Sequence, residues 1–269
     1  MTDGRSLTGV EVARRFHAEL VAPVLARGAP RLRYAAGRFG SGSDVLGLDD
    51  EMSRDHDWGC RLNVLVDEEH ADVLPRLHAA LERDLPATFL GLPVRFGVSW
   101  DPAPTHNVGC DTVHGFASSR LGVPTRTGLS DVDWLCLTGQ QVLEVIGGPT
   151  FHDETRTWTE VQQLLAGYPP HVERYLLVCG WRRLGENLHL LGRAGDRGGD
   201  VGWRLLAADL VESVLLLAFL LDRAWMPYPK WRQALFERLP LAADLGPLLR
   251  DALTAEHWRP AEDALAAAA

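Results

Sequence analysis

Apolar positions repeat at strand spacing and at helix spacing in the first part of the chain. Residues 9–28 and 68–84 carry apolar side chains at helical spacing, which predicts an amphipathic helix in each. Residues 60–66 alternate between apolar and polar side chains, which is typical of a strand. Residues 94–100 and 106–113 are further strand candidates. The pattern therefore predicts that this part of the chain is α/β.

From Ser130 onward the spacing is helical, and we expect this half of the chain to be all helix. Residues 170–191 and 200–225 are long and apolar on one face, so they are expected to pack as a bundle. The fold class predicted for the whole chain is α+β. We place an α/β domain at residues 1–126 and an all-α helical bundle at 127–269.

No segment has the pattern of a membrane span or a leader. The longest apolar run, Val214–Leu221, is far shorter than the roughly 20 residues that cross a bilayer. The first 20 residues lack the apolar core of a signal peptide. The four cysteines form no CxxC pair, which argues against a zinc ribbon. We therefore expect a cytoplasmic protein that does not bind membranes.

The balance of acidic and basic residues indicates which classes of ligand the protein is suited to bind. The chain has 269 residues, with 27 Lys and Arg against 36 Asp and Glu, for a formal charge of −9. A surplus of acid argues against non-specific nucleic-acid binding, which needs Lys and Arg to neutralise phosphates. It suits a cationic substrate, or a nucleotide that arrives with a metal ion. The composition is compatible with a monomer or an oligomer.

One short region combines residue types that suit phosphate and metal chemistry. A loop rich in Gly and Ser ends at Asp44, and Asp55-His56-Asp57 follows before the predicted strand. On an extended chain Asp55 and Asp57 point to the same side, where they would repel unless a cation such as Mg²⁺ lay between them. Gly-Ser loops can offer amides and hydroxyls to phosphate. Either motif alone is common in surface loops, and the prediction depends on finding both in this order.

The same motifs resemble the DNA polymerase β-type nucleotidyltransferase superfamily, in which Gly-Ser precedes an Asp-x-Asp that enters a strand. The chain is more closely similar to the DUF4037 family of nucleotidyltransferase-like proteins. That resemblance extends from about residue 36 to 258 and is carried by residues 54–59, 133–135, 143–145, 151–153 and 227–231. It implies a nucleotidyltransferase fold followed by a helical bundle.

The resemblance also implies a site with three carboxylates that hold two Mg²⁺ ions beside a nucleoside triphosphate. Asp55 and Asp57 match the first two carboxylates, and the third is assigned to Asp111, with Asp101 as the second choice. The phosphates are assigned to four residues of the loop, namely Gly40, Ser41, Gly42 and Ser43.

Three residues outside the Asp-x-Asp region complete the candidate site. Glu144 is a candidate general base for an acceptor hydroxyl. Lys230, the only lysine in the chain, is a candidate point-charge contact to the triphosphate, and the neighbouring Tyr228 is a candidate for stacking on the base or sugar. A solvated surface position is the alternative for each of them.

Two functions are compatible with the sequence. The first is a Mg²⁺-dependent nucleotidyltransferase that moves a nucleoside monophosphate from an NTP to an acceptor hydroxyl on a small cationic molecule, a tRNA or a protein. The alternative is a catalytically weak or inactive nucleotide-binding protein of the same fold, with a regulatory or toxin–antitoxin-type role. The third carboxylate distinguishes the two functions.

Overall fold

The computed structural model describes residues 4–54, 57–99 and 101–269. The chain forms two compact units. The first contains the residues up to Asp133 together with Gln141–Ala166, and the second contains Trp134–Gln140 and Gly167–Ala269. This division differs from the predicted boundary at 126/127, because the segment after residue 140 returns to pack with the sheet.

The first helical region is interrupted by a change of helix type. Residues Gly9–Phe16 form α1, His17–Val21 form a π-helical turn, and Ala22–Gly28 form α2. Thr8 and Glu11 form a reciprocal capping box, with the Thr8 amide donating to Glu11 Oε2 at 2.8 Å. The helical spacing over 9–28 is therefore confirmed, although the segment is not one regular α-helix.

The sheet of the first unit is mixed, with the strand order β5-β6-β2-β1-β7. A separate two-stranded ribbon pairs β3 with β4. The strands are β1 Ala35–Gly37, β2 Arg61–Val66, β3 Thr88–Phe89, β4 Leu92–Pro93, β5 Arg95–Val98, β6 Asp101–Thr112 and β7 Thr150–Asp153.

Strands β2 and β6 run parallel, and their register positions the candidate site residues. Arg61 pairs with Asn107 and Leu65 pairs with Asp111. Strand β1 is antiparallel to both β2 and β7. The strand at β7 contradicts the prediction that the chain is all helix after Ser130. It has only four residues and pairs with a distant segment, so local periodicity does not reveal it.

Helices and short 3₁₀ turns surround this sheet. The turns are Gly4–Ser6, Asp44–Leu46, Met52–Arg54 and Glu68–Val73. The remaining helices that lie wholly or partly in the first unit are α3 Leu74–Asp84, α4 Val113–Leu121, α5 Asp131–Cys136, α6 Gly139–Ile146 and α7 Thr157–Leu164. The core contains Phe16, Leu62, Val64 and Leu77, each at most 1% exposed.

The second unit is helical, as the spacing predicted. Its helices are α8 Pro170–Asp196, α9 Asp200–Leu221, α10 Pro229–Phe236, α11 Ala242–Thr254 and α12 Trp258–Ala268. The apolar run of α9 is buried against its neighbours, with Leu210 fully enclosed. Over the described residues, no helix combines the length and the apolar character that a bilayer crossing requires.

Candidate functional site

The loop that follows β1 is held by a buried ion pair. We call residues 39–43 the Gly-Ser loop. The side chains of Arg38 and Asp44, at its two ends, are 2% and 6% exposed. Arg38 Nε donates to Asp44 Oδ2 at 2.7 Å and Nη2 donates to Oδ1 at 2.8 Å. The same guanidinium donates to the carbonyl oxygens of Phe39 and Ser41. One buried arginine therefore fixes the shape of the whole loop.

The loop needs glycine at both of its glycine positions. Gly42 has φ +141°, and a Cβ there would collide with the Asp44 carboxylate. Gly40 has φ +86°, and its amide donates to the Glu144 carbonyl oxygen at 2.7 Å. The Gly40 amide therefore already has a backbone partner in this structure, and its contact with phosphate stays a prediction. Ser41 and Ser43 are half-buried, and their hydroxyls have no hydrogen-bond partner among the described residues.

An asparagine connects the loop to the central strands. Asn63 Oδ1 on β2 accepts a hydrogen bond from the Phe39 amide at 3.2 Å. Asn63 pairs in register with Gly109 on β6, where an added Cβ would lie 3.0 Å from Asn63 Nδ2. The β6 residue beside Asn63 is therefore a glycine, which has no side chain. The polar side-chain group at this pair of positions is the Asn63 amide, and neither position carries a carboxylate.

A second arginine, Arg61, is the first residue of β2 and is 9% exposed. Its pKa is lowered to about 10, mainly by burial and in part by the charges of Arg38 and Arg120. The carboxylates of Asp44 and Asp57 act in the opposite direction. Arg61 also donates to the Asp57 carbonyl oxygen. At this pKa the guanidinium is still charged at pH 7, so the region carries positive charge close to the loop.

A third arginine joins the loop to Glu144. The Arg120 guanidinium carbon lies 3.6 Å from the position that a Cβ on Gly40 would occupy. Arg120 Nη1 is 3.5 Å from Glu144 Oε2, and Arg120 Nε is buried without a partner among the described residues. The structure therefore brings Glu144 to the loop, where its carboxylate forms an ion pair.

The two aspartates of the Asp-x-Asp motif are only partly described. Asp55 lies outside the described residues. Asp57 has φ +55°, so it is not on an extended strand as predicted, and the chain turns through Gly59 before β2 begins. Its carboxylate accepts hydrogen bonds from the Ser99 amide at 2.6 Å and from the Ser99 hydroxyl at 2.7 Å.

The candidate third carboxylates lie toward opposite ends of β6. Asp111 pairs with Leu65, about 13 Å beyond the start of β2 at a rise of about 3.3 Å per residue. The structure therefore does not bring Asp111 together with Asp57, which precedes β2. Asp101 is the first residue of β6 and lies two positions after Ser99, the partner of Asp57. Of the two candidates, Asp101 is on the end of β6 that approaches Asp57.

The surroundings of Asp111 raise its pKa. Burial raises the pKa of Asp111, a hydrogen bond from the Thr112 amide lowers it, Glu68 raises it and Arg120 lowers it. The amide hydrogen bond, from the next residue in the chain to Asp111 Oδ1, is 2.7 Å long.

An acidic group that the sequence analysis missed follows β2. The ligand atoms of Asp67, Glu69 and His70 all lie within 4.8 Å of one another. In the described part of the chain, no other group of three His, Cys, Asp or Glu residues is arranged this closely. This is an arrangement that can hold a metal ion, although Asp67 already accepts a hydrogen bond from the Thr157 hydroxyl at 2.5 Å. A run of acidic residues and a histidine directly after a buried strand was the available signal.

The remaining two candidates belong to the second unit. The Tyr228 amide donates to Gln140 Oε1 at 3.3 Å, directly before α10. Lys230 is exposed, and its Nζ lies 4.6 Å from the centre of the Trp231 ring. Their contacts to nucleotide stay predictions.

Comparison with known proteins adds two similarities. The crystal structure of a nucleotidyltransferase-like protein from Exiguobacterium sibiricum 255-15 is similar with a TM-score of 0.37 and 13% identity, over 96% of this chain and 72% of that chain. No curated protein matches the sequence. Residues 134–232, a region that starts after the Gly-Ser loop and the Asp-x-Asp motif, match the family DUF4037, Domain of unknown function.

Proposed function

We propose that this protein is a Mg²⁺-dependent nucleotidyltransferase that moves a nucleoside monophosphate from an NTP to an acceptor hydroxyl. One observation carries the proposal. Arg61 donates to the Asp57 backbone and is electrostatically coupled to the Arg38–Asp44 pair that shapes the Gly-Ser loop. The loop and the described half of the Asp-x-Asp motif therefore converge on one buried arginine.

The Gly-Ser loop supplies the contacts to phosphate. The hydroxyls of Ser41 and Ser43 are the donors that have no partner among the described residues. Arg120 lies against Gly40 and adds a positive charge, and Arg61 at the start of β2 adds a second. Charge-assisted hydrogen bonds of this kind are about twice as strong as neutral ones, so they favour a polyanionic ligand.

Asp57 and Asp55 are the residues that would hold magnesium. The Asp57 carboxylate is held in place by two hydrogen bonds from Ser99, and a carboxylate oxygen is a ligand that Mg²⁺ prefers, so Asp57 fits a metal ligand. Mg²⁺ is commonly held by one or two carboxylates together with substrate phosphates. When bound, the ion supplies neutralisation of the pyrophosphate leaving group. Asp111 is not assigned to this ion because it pairs with Leu65, which lies far along β2 from Asp57.

Glu144 is assigned a positioning role in this proposal. Its carboxylate is in an ion pair with Arg120 and its backbone oxygen accepts from the Gly40 amide. The first contact holds Arg120 and the second holds the Gly-Ser loop, which are the two parts of the site to which the phosphates are assigned. Glu144 therefore orients Arg120 and the loop, and the acceptor proton is not assigned to it.

A second function is favoured by one specific observation. The β6 residue in register with Asn63 is a glycine, and the local polar group is the Asn63 amide. A protein that binds nucleotide here without a third carboxylate would act as a catalytically weak or inactive nucleotide-binding protein.

The two functions are separated by measuring binding and turnover on the same preparations. Each NTP is titrated calorimetrically with Mg²⁺, and each labelled NTP is then incubated with Mg²⁺ and cell extract as the source of acceptor. We expect the double variant Ser41→Ala/Ser43→Ala to bind NTP about a hundredfold more weakly or worse, because two hydrogen bonds to charged oxygens are lost. Asp57→Asn should bind NTP and lose label transfer.

The control variant is Ser213→Ala, because the Ser213 hydroxyl donates within its own helix to the Asp209 carbonyl oxygen. Unchanged NTP affinity in the double serine variant would contradict the assignment of the loop. Tight NTP binding with no labelled product from any extract would favour the non-catalytic function.

A further inference from the structure

The helical unit contains a cavity of about 540 Å³ whose lining includes Tyr228 but none of the residues to which the proposed function assigns a role. Its walls include Tyr168, Phe219 and Trp225, and the polar side chains of Gln140 and Arg232 also line it. Small-molecule sites commonly have volumes of about 300–1,000 Å³ and combine apolar walls with a few polar groups. The cavity therefore has the size and the lining of a ligand site.

One wall of the cavity is a rigid aromatic cluster. The rings of Tyr168 and Trp225 lie 4.3 Å apart between centroids. Behind them Trp134 is nearly parallel to Trp225, with an interplanar angle of 8° and a centroid separation of 6.4 Å. Trp134 and Trp225 are 2% and 7% exposed, so both indoles are held in place by packing. A fixed aromatic wall favours a flat ring that can stack or pack edge to face.

Arg232 and Tyr168 supply hydrogen-bond donors to the cavity, and its lining carries little net charge. Arg232 Nη1 is paired with Glu212 Oε1 at 2.8 Å, whereas Nη2 has no partner among the described residues. The Tyr168 hydroxyl also has no partner there, and burial raises the pKa of Tyr168 to about 12, so the hydroxyl stays protonated. No Asp or Glu occurs among the described residues that line the cavity.

These features define the ligand class. A charged ligand would lose its hydration here without an unpaired counter-charge, which disfavours it. A neutral ring that carries an acceptor oxygen would accept a hydrogen bond from Arg232 or Tyr168, while the face of the ring packs on the aromatic wall. We propose that this cavity binds a neutral planar heteroaromatic molecule, whose ring packs against Tyr168 and Trp225 and whose carbonyl oxygen accepts a hydrogen bond from Arg232 or Tyr168.

The first test compares two probes that differ only in aromaticity. The full chain is titrated calorimetrically, in the absence of nucleotide, with 2-quinolone and with its saturated analogue octahydro-2-quinolone. Both compounds have the lactam carbonyl, but only the first has a flat π face. We expect 2-quinolone to bind at least tenfold more tightly. Absence of 2-quinolone binding, or equal affinity for the saturated compound, would overturn the proposal.

The second test assigns the donors. Tyr168→Phe removes only a hydroxyl, and Arg232→Lys retains a cation for Glu212 while it removes the forked donor. We expect the Kd for 2-quinolone to rise about three- to tenfold in at least one variant, as for the loss of one hydrogen bond. Tyr175→Phe and Arg182→Lys, at exposed positions of α8, are the matched controls.

Wild-type affinity in both Tyr168→Phe and Arg232→Lys would overturn the assigned contacts. Because neither test includes NTP or magnesium, a negative result leaves the proposed nucleotidyltransferase function unaffected.

Discussion

His17 shows how a single buried side chain responds to its surroundings. It lies in the π-helical turn of the first unit and is 7% exposed. Its Nε2 is 3.2 Å from the Tyr34 hydroxyl, and its ring centroid is 6.0 Å from that of His152. The pKa of His17 is lowered to about 4, mainly by burial and in part by the nearby His152. The neutral imidazole is therefore the form that the fold accommodates.

We expect the free energy of unfolding to fall as the pH drops from about 6.5 to about 4. In this range the unfolded chain binds a proton at His17 that the folded chain does not, so folding stability rises with pH. A shift of this size corresponds to roughly 3 kcal/mol across the whole window. Urea unfolding at pH 7 and at pH 4.5 measures it.

In His17→Gln the difference in the free energy of unfolding between pH 7 and pH 4.5 should become smaller by about 2 kcal/mol, because pH 4.5 lies inside the window. His189→Gln, at an exposed position of α8, is the control and should retain the wild-type pH dependence. An identical pH dependence in His17→Gln and the wild type would refute the assignment to His17.

The sequence indicated some site residues and missed others for a physical reason. The Gly-Ser loop and Glu144 were identified, and the structure places them together through the Gly40 amide. The arginines Arg38 and Arg61 were missed, because 26 of the 27 basic residues are arginine and local sequence does not mark which of them is buried. Their role depends on tertiary partners such as Asp44.

At the scale of elements, the length of a helix or strand determined whether the spacing of apolar residues could predict it. The six residues of β2 alternate clearly, and the strand was predicted at the right place. Strands β1 and β7 have only three and four residues and are neighbours in the sheet. Segments this short contain too few positions for a local period to mark them as strands. Long helices such as α8 and α9 repeat over many turns and were predicted, with ends that differ by a few residues.

Gly148 allows β1 to pass close to the segment that precedes β7. A Cβ at Gly148 would collide with the Arg38 carbonyl oxygen, and the Arg38 amide donates to Pro149 O at 3.1 Å. We expect Gly148→Ala to destabilise the protein by about 1–3 kcal/mol, as for other overpacked positions. Because the strain falls on Arg38, which shapes the Gly-Ser loop, NTP affinity should fall as well.

Chemical denaturation and NTP titration measure both effects of Gly148→Ala. Gly167→Ala is the matched control, because no heavy atom lies within 4 Å of the added Cβ. That variant should remain within about 0.5 kcal/mol of the wild type. If the two alanine variants were equally stable, the backbone at Gly148 would move away from Arg38 without lowering the free energy of unfolding, and the prediction would be wrong.

At the scale of the molecule, each compact unit has a core of its own. Phe16 is fully buried in the first unit and Leu210 is fully buried in the second. Separate cores predict that thermal unfolding departs from a single two-state transition. Phe16→Ala should destabilise the first unit by about 3–5 kcal/mol and Leu210→Ala the second by about 2–5 kcal/mol.

Differential scanning calorimetry tests whether the two variants act on different transitions. We expect Phe16→Ala and Leu210→Ala to lower the melting temperatures of different components of the heat-capacity profile. One transition, shifted equally by both variants, would instead show that the two cores unfold together.

The path of the chain through the two units has a consequence for synthesis on the ribosome. Residues 134–140 belong to the second unit, but the next segment belongs to the first. Trp134 packs on Tyr168 and Trp225, which are translated later. Until those residues emerge, a large indole has no native partner, while residues 141–166 can already complete the sheet. A nascent chain therefore displays Trp134 to chaperones for as long as the helical half is still being made.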